Sequence, residues 1–340
     1  MQNIAIVGFG FMGSMHAQAY LKIKDATLVA VVDARRGAAL AALRKIGIAL
    51  PVHVTLAEAL AAQRVDAVDI CAPTFVHAPL VREALAQGKH VFCEKPFVPT
   101  AKEGFALAAA AKKAGLMLQV GQCLRFWPEY VAFTDFVRSE RAGRLLSLSL
   151  QRRAGRPGYS AGNWLNDGEA SGGAALDLHI HDTDYVQHLL GVPNAVTSVG
   201  TRDATGWSHI FTTYHFKDIA VTAEGGWNYP AQWGFQMAFQ AVFERGTVEF
   251  DSTRSPVLVF GDAKGKKKPL PFEEPAVGRS SSGVGNVSSL GGYFVELAYF
   301  VDCLEKGRPP EIATGEQASE SVRIVEAEIR SAKTGRTVTL

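Results

Sequence analysis

Asn3-Ile-Ala-Ile-Val7-Gly8-Phe9-Gly10-Phe11-Met12-Gly13 is the stretch that decides the fold. A short β-rich run, Asn3 to Val7, meets three glycines spaced GxGxxG, and a helical pattern follows from about Met12 to Lys24. Gly8 permits the tight turn, Gly10 lets a pyrophosphate approach the backbone, and Gly13 lets helix and strand pack closely. The helix start offers unpaired N–H groups and about half a positive charge to the phosphates. Phe9, Phe11 and Met12 fill the variable positions and belong to the same expected cofactor contact. The next strand, Thr27 to Val32, ends at Asp33, about 20 residues past the last glycine, where a ribose diol is held. A carboxylate there repels a 2′-phosphate, so NAD is favoured over NADP. Arg35 and Arg36 follow directly and soften that preference unless they are simply surface residues.

The alternation continues outward from this point. Helical patterns cover Ala34 to Ile46, Leu56 to Gln63, Val76 to Gln87 and Thr100 to Lys113. Between them lie strand patterns at Val52 to Val54, Val65 to Ala72, Lys89 to Cys93 and Leu116 to Val120. Strand–helix alternation of this length predicts a doubly wound parallel sheet, an α/β Rossmann domain over residues 1–122. Within it, Val91-Phe-Cys-Glu94 reads as a buried strand end, followed by Lys95 and Pro96. A lysine there points into the crevice where such sheets bind ligands, and Pro96 ends the ladder.

Composition limits the classes. With 340 residues the chain fits two domains. A net charge of +2 gives no global field for nucleic acid or an anionic membrane. The basic cluster Lys264-Gly-Lys266-Lys-Lys268 reads as a solvated loop. Four scattered cysteines without a CxxC read as inert core thiols in a reducing compartment. No signal peptide or membrane-length apolar run is read, so the cytoplasm is the expected location.

After Pro128 the rhythm changes. A helix from Glu129 to Ser139 and a strand from Arg144 to Arg153 lead into a Gly-rich loop holding Tyr159, Asn163 and Trp164. A helix is expected over Ala174 to Leu190, then six short β runs between Val196 and Phe260. This predicts an α+β domain over 123–340 with a large, mostly antiparallel sheet. Helices are expected over Tyr293 to Lys306 and Glu316 to Lys333, and the C-terminal one is a candidate to pack back on the first domain. A broad sheet of this kind is also a surface for a homodimer or homotetramer. The Gly/Ser/Pro-rich stretch 261–292 reads as a long loop whose role the sequence leaves open.

Asp177, His181, Asp184 and His188, spaced i, i+4, i+7 and i+11, form one stripe of the expected helix. A solvated helical face is the bland account. The Gly172-Gly173 opening and the apolar remainder of the helix favour burial instead.

The sequence resembles the Gfo/Idh/MocA oxidoreductases, the relatives of glucose–fructose oxidoreductase and inositol dehydrogenase. The resemblance rests on Gly8-x-Gly10-x-x-Gly13, Asp69-Ile-Cys-Ala72-Pro73-Thr74-x-x-His77, Glu94-Lys95-Pro96 and Gly121-x-x-x-Arg125-Phe-x-Pro128, and on Gly172-Gly-x-x-Leu176-Asp177-x-x-x-His181-x-x-Asp184. It implies that Ala72, Pro73, Thr74, His77, Glu94 and Lys95 join the cofactor site, that Lys95 is catalytic, and that Asp177 and His181 face the nicotinamide. It further implies that Arg125 contacts substrate hydroxyls. Trp164 and Tyr293 are candidates to line the pocket, although aromatic residues in such places are more often core. Two departures are Cys123, where many relatives carry Asn, and His179, where Gly is common.

Together these features imply an NAD(P)-dependent dehydrogenase acting on a hydroxyl of a sugar, cyclitol or related polyol. His181 is the expected base, because imidazole titrates near pH ~6.5. Asp177 would orient the substrate or the ring, and Lys95 would stabilise developing alkoxide charge. One alternative is a glycosidase using NAD for transient oxidation. Another is a metal-dependent hydrolase built on Asp177-x-His179-x-His181-Asp182, although residues two apart do not share a helical face. No metal is expected on the leading reading.

Overall fold

Six parallel strands and their crossover helices form the first unit of the computed structural model, which describes residues 1–277 and 290–340. In chain order these are β1 (Gln2–Val7), α1 (Phe11–Tyr20), β2 (Ala26–Val32), α2 (Arg36–Lys45), β3 (Val52–His53) and α3 (Leu56–Ala62). Then come β4 (Ala67–Ile70), α4 (His77–Ala86), β5 (His90–Cys93), α5 (Ala101–Lys113) and β6 (Leu118–Val120). The strand order β3-β2-β1-β4-β5-β6 is that of a Rossmann sheet. Its order reverses between β1 and β4, and the glycine turn leaves β1 at that point. Strand alternation feeds two cores. Ile4 and Ile6 enter one, Ala5 and Val7 the other, and helices cover both faces.

The second unit holds α6 (Pro128–Arg138), β7 (Leu145–Gly155), α7 (Gly168–Ser171), α8 (Gly173–Asp177), α9 (Ile180–Leu190), β8 (Ala195–Asp203), β9 (Gly206–His215) and β10 (Ala220–Tyr229). It continues with β11 (Phe235–Phe243), β12 (Gly246–Asp251), β13 (Leu258–Asp262) and β14 (Lys267–Pro269). The chain ends with α10 (Gly291–Lys306), α11 (Gly315–Thr334) and β15 (Val338–Thr339). Nine strands form one sheet, ordered β14-β13-β12-β11-β7-β10-β9-β8-β15. Among the described strands of this sheet, the β7–β10 pair is parallel and the other pairs are antiparallel. Tyr130 and Phe133 of α6 pack against Phe239 of β11, and Tyr185 of α9 meets Tyr130 edge to face at 4.7 Å.

The first unit comprises Met1–Phe126, Tyr159–Trp164 and Pro275–Val322; the second comprises Trp127–Gly158, Leu165–Glu274 and Arg323–Leu340. Residues 290–322 thus fall in the same unit as the Rossmann sheet.

Two expectations need correction. The helix expected over 174–190 is broken: α8 ends at Asp177 and α9 starts at Ile180. The His179 N–H reaches back five residues to Ala174 O at 2.8 Å, a wide turn that no proline or glycine announces. The basic cluster read as a loop instead forms the turn after β13 and the exposed edge strand β14, where Lys267 pairs with Glu249 at 2.8 Å. Charged edge strands of this sort discourage pairing with other chains. Of the expected loop 261–292, residues 278–289 lie outside the described residues. No helix among the described residues is long and apolar enough to cross a membrane.

Candidate active site

The three glycines of the first turn meet different surroundings. A Cβ on Gly13 would sit 2.1 Å from Gly8 O, and one on Gly8, whose φ is +89°, would sit 2.7 Å from Ala72 N and Cys71 O. Both positions are closed to any larger residue. A Cβ on Gly10 would meet nothing within 4 Å. Packing therefore excludes a side chain at the first and third positions and leaves open space at the second, next to the free N–H groups of α1, as a dinucleotide phosphate requires. Asp33 is nearly buried. Its Oδ2 accepts the Phe9 N–H at 2.9 Å and its Oδ1 accepts the Arg35 N–H at 2.8 Å, so the expected ribose ligand also braces the turn.

The ends of β4 and β5 lie beside this turn. Thr74 is buried and Ala72 and Pro73 are half-buried. His77 is fully buried, with Nε2 2.7 Å from Ala72 O and Nδ1 3.0 and 3.1 Å from Pro96 O and Phe97 O. Its ring thus clips the β4 loop to the segment after Lys95, which is a framework role. Glu94 also turns inward: Oε2 accepts the Lys95 N–H at 3.0 Å, and Oε1 lies 3.1 Å from His16 Nε2. Lys95 itself is half-buried. Arg125 is buried, and its Nη1 donates to Gln317 Oε1 at 2.5 Å. Cys123, at the departure from the family pattern, is buried two residues before it. Trp164 is half-buried with its ring 6.1 Å from Phe75, and Tyr159 packs 5.4 Å from Phe11, so the short segment Tyr159–Trp164 rests on the glycine turn and the β4 loop.

In the second unit, Asp177 and His181 flank the break between α8 and α9 and are half-buried, whereas Asp184 is buried. The stripe is therefore no solvated face. Behind it lies a polar cluster that the sequence reading missed. Arg152 holds Asp182 through two hydrogen bonds of 2.8 and 3.1 Å, both groups being buried. Thr183 Oγ1 donates to Glu328 Oε1 at 3.0 Å and contacts Tyr214 Oη at 2.9 Å. His179 Nε2 is 3.4 Å from Glu328 Oε2. Burial, aided by the charges of Arg152 and His209, pushes His179 down to about 3, and burial pushes Glu328 up to about 8. A neutral imidazole therefore faces a protonated carboxyl. His179 fits because residue 225 is glycine: a Cβ there would lie 2.7 Å from the His179 ring. His179 and His181 thus do not form a shared ligand set. Among the described residues, the groupings of metal-ligand type are His16 with Asp69 and Cys71, and His16 with Glu94 and Glu296.

A polar residue inside an apolar helical pattern was the available signal for His16, Glu296 and Glu328, and one sequence does not separate such residues from exposed ones.

Known proteins resemble this chain over most of its length. Residues 2–122 match the family model described as "Oxidoreductase family, NAD-binding Rossmann fold", and residues 130–249 match "GFO/IDH/MocA C-terminal domain". The chain is 32% identical over 268 residues to an inositol 2-dehydrogenase of Arthrobacter sp. (strain FB24), covering 75% of each. It is 26% identical over 361 residues to the scyllo-inositol 2-dehydrogenase (NAD(+)) of Bacillus subtilis (strain 168), covering 99% of this chain and 95% of that protein. Among solved structures, levoglucosan dehydrogenase in complex with NADH and levoglucosan shares the fold, with a TM-score of 0.85, 20% identity and 99% of each chain covered.

Proposed function

Because this chain belongs to the Gfo/Idh/MocA oxidoreductase family, we propose that it is an NAD-dependent dehydrogenase acting on a secondary hydroxyl of a cyclitol or related sugar. The observation that carries this reading is the glycine turn, closed at Gly8 and Gly13 and open at Gly10. Relatives named as inositol dehydrogenases support the substrate class, and the glycosidase alternative is not favoured.

When bound, NAD supplies the hydride acceptor. The remaining tasks fall to side chains of this chain. His181 takes the hydroxyl proton, and Asp177, one turn away in sequence, orients the ring or the substrate. Lys95 donates to the reacting oxygen and stabilises its developing negative charge. Arg125, braced by Gln317, holds neighbouring hydroxyls. The first unit carries the cofactor turn together with Lys95 and Arg125, and the second carries Asp177, His181 and the sheet offered for self-association. Val199 and Phe211, cross-strand partners on the nine-stranded sheet, are 63% and 47% exposed and offer an apolar contact for a second copy. A single Phe211→Lys change would lower the molar mass in solution if this face joins protomers.

The direct test is NADH formation across inositol stereoisomers, hexoses and anhydrosugars. His181→Ala should lower turnover about 10²- to 10⁴-fold while NADH binding stays nearly unchanged. Asp33→Ala should weaken NAD binding. Unchanged turnover would remove His181 as base, and a panel without any NADH formation would refute the substrate class.

A further inference from the structure

Beneath the Glu94–Lys95 peptide, within the first unit, lies a second concentration of ionisable groups. His16 on α1 is fully buried, its Nδ1 2.8 Å from Asp69 Oδ2 on β4. Its Nε2 is 3.1 Å from Glu94 Oε1, close enough for an ion pair though angled away from an ideal hydrogen bond. Phe92 covers the ring edge-on at 5.6 Å. Glu94 has room because residue 121 is glycine: a Cβ there would come within 2.9 Å of Glu94 Oε1.

The contacts determine a proton count. A neutral imidazole carries one N–H, yet both ring nitrogens face carboxylate oxygens. One proton would leave a lone pair against a carboxylate, whereas two protons give the ring a hydrogen bond to Asp69 and an ion pair with Glu94. Glu296 of α10 brings a third carboxyl. Its atoms, those of Glu94 and those of His16 gather within 4.8 Å, and neither Glu296 oxygen has a hydrogen-bond partner among the described residues. Two charged carboxylates this close in a dry site disfavour each other, so Glu296 keeps its proton. The titration directions agree. Burial and the Glu94 charge hold Glu296 well above its ordinary range. For His16 burial pulls downward, but Asp69 and the other neighbours outweigh it and hold the ring well above its usual value. The titratable groups around the ring are Tyr20 of its own helix, Asp69 and Cys71 at the end of β4, Glu94 after β5, and Glu296 and Tyr293 of α10.

We propose that Asp69, His16 and Glu94 are positioning residues for Lys95: the doubly protonated His16 ring fixes the Glu94 carboxylate, whose other oxygen holds the Lys95 N–H. The chain of contacts ties α1, which opens the nucleotide turn, to the peptide that carries the lysine. It rests on the reading of Lys95 as the cation at the reacting oxygen. Nothing in it requires a metal, although its residue types would suit one.

Nitrogen-15 NMR of the histidine-labelled protein tests the proton count without substrate. His16 should show two protonated nitrogens near pH ~8, where an ordinary imidazole is neutral. Kinetics tests the positioning. Glu94→Gln should lower kcat on the order of 100-fold while the NADH Kd, read by fluorescence, moves less than about threefold. Glu296→Gln exchanges one neutral group for another and should leave kcat within about twofold. A neutral His16 near pH ~8 overturns the proposal, as does a Glu296→Gln variant as impaired as Glu94→Gln. A stoichiometric divalent ion in the purified protein, lost with Glu296→Gln, overturns it in favour of a metal site. Lys95→Ala separates the two levels. Unchanged turnover there refutes the dehydrogenase role of Lys95, while lost turnover with an unaffected Glu94→Gln refutes positioning alone. If Glu94→Gln fails to fold, the NMR measurement on the native protein still decides the proton count on which the proposal stands.

Discussion

His16 in the first unit and His179 in the second are both fully buried, and each has Nε2 facing a glutamate, at 3.1 and 3.4 Å. They nevertheless differ in charge, His16 being cationic and His179 neutral. His16 sits between Asp69 and Glu94 and is raised well above its ordinary value. His179 is lowered to about 3, by burial first and then by Arg152 and His209. Burial pushes both rings toward neutrality, so burial cannot be what separates them. The difference lies in the charge already present. Carboxylates surround His16 without another cation in its immediate set, whereas the Arg152–Asp182 pair beside His179 leaves no anion unmatched. The proton in that second cluster resides on Glu328 instead.

Removing the anion from each cluster puts this contrast under the greatest strain. Asp182→Asn strands a buried guanidinium, which cannot give up its charge, and should cost about 3–5 kcal/mol in chemical denaturation. Asp69→Asn leaves His16, which can release a proton, so the cost should be smaller, about 1–3 kcal/mol. Equal costs would mean that the two cations are equally constrained.

The pH dependence sharpens the same contrast, with expected effects of a few kcal/mol at most. The folded value of His179 lies below the unfolded 6.5, so its contribution is whole above that pH and is lost as pH falls toward about 3. Glu328 is raised from 4.5 to about 8, so its contribution is whole below 4.5 and is lost as pH rises through about 8. Between 4.5 and 6.5 the two slopes oppose each other. Glu328→Gln should remove one slope and make stability climb with pH in that window, measured by thermal melts in a buffer series. His16, being raised, contributes fully below 6.5 and loses its contribution as pH rises through its folded value. His16→Gln should therefore flatten the alkaline limb.

The smallest effect concerns space rather than charge. Gly225→Ala forces a Cβ to within 2.7 Å of the His179 ring and should cost about 1–3 kcal/mol. Combined with His179→Gly, which removes both the His179 Cβ and the ring nitrogen that the new Cβ would meet at 2.7 Å, much of that cost should vanish, and a double-mutant cycle would show the coupling. Additive costs would remove the claim that Gly225 makes room for His179.

The Rossmann half was legible because its signals are local. The turn glycines, the apolar strand runs and the helix stops each act within a few residues, and every strand from β1 to β6 was expected where it lies. The break between α8 and α9 was not legible. Leu178 and His179 have ordinary helical propensity, and the neighbour His179 packs against, Gly225, lies more than forty positions away. The inward turn of Glu94 escaped for the same reason, since its partner His16 lies on α1, far from it in sequence. Long-range charge partners leave little trace in a single sequence, whereas a backbone need for glycine leaves a plain one.

Asp33 joins two properties that protein engineers usually treat as separate. The carboxylate proposed to disfavour a 2′-phosphate also receives the N–H groups of Phe9 and Arg35. Converting the enzyme to NADP therefore cannot be a simple removal of negative charge. A replacement without an acceptor oxygen would slacken the phosphate-binding turn while it relaxed the cofactor preference. Serine or asparagine at this position, with Arg35 kept, is the starting point that alters selectivity and still leaves the turn a hydrogen-bond acceptor.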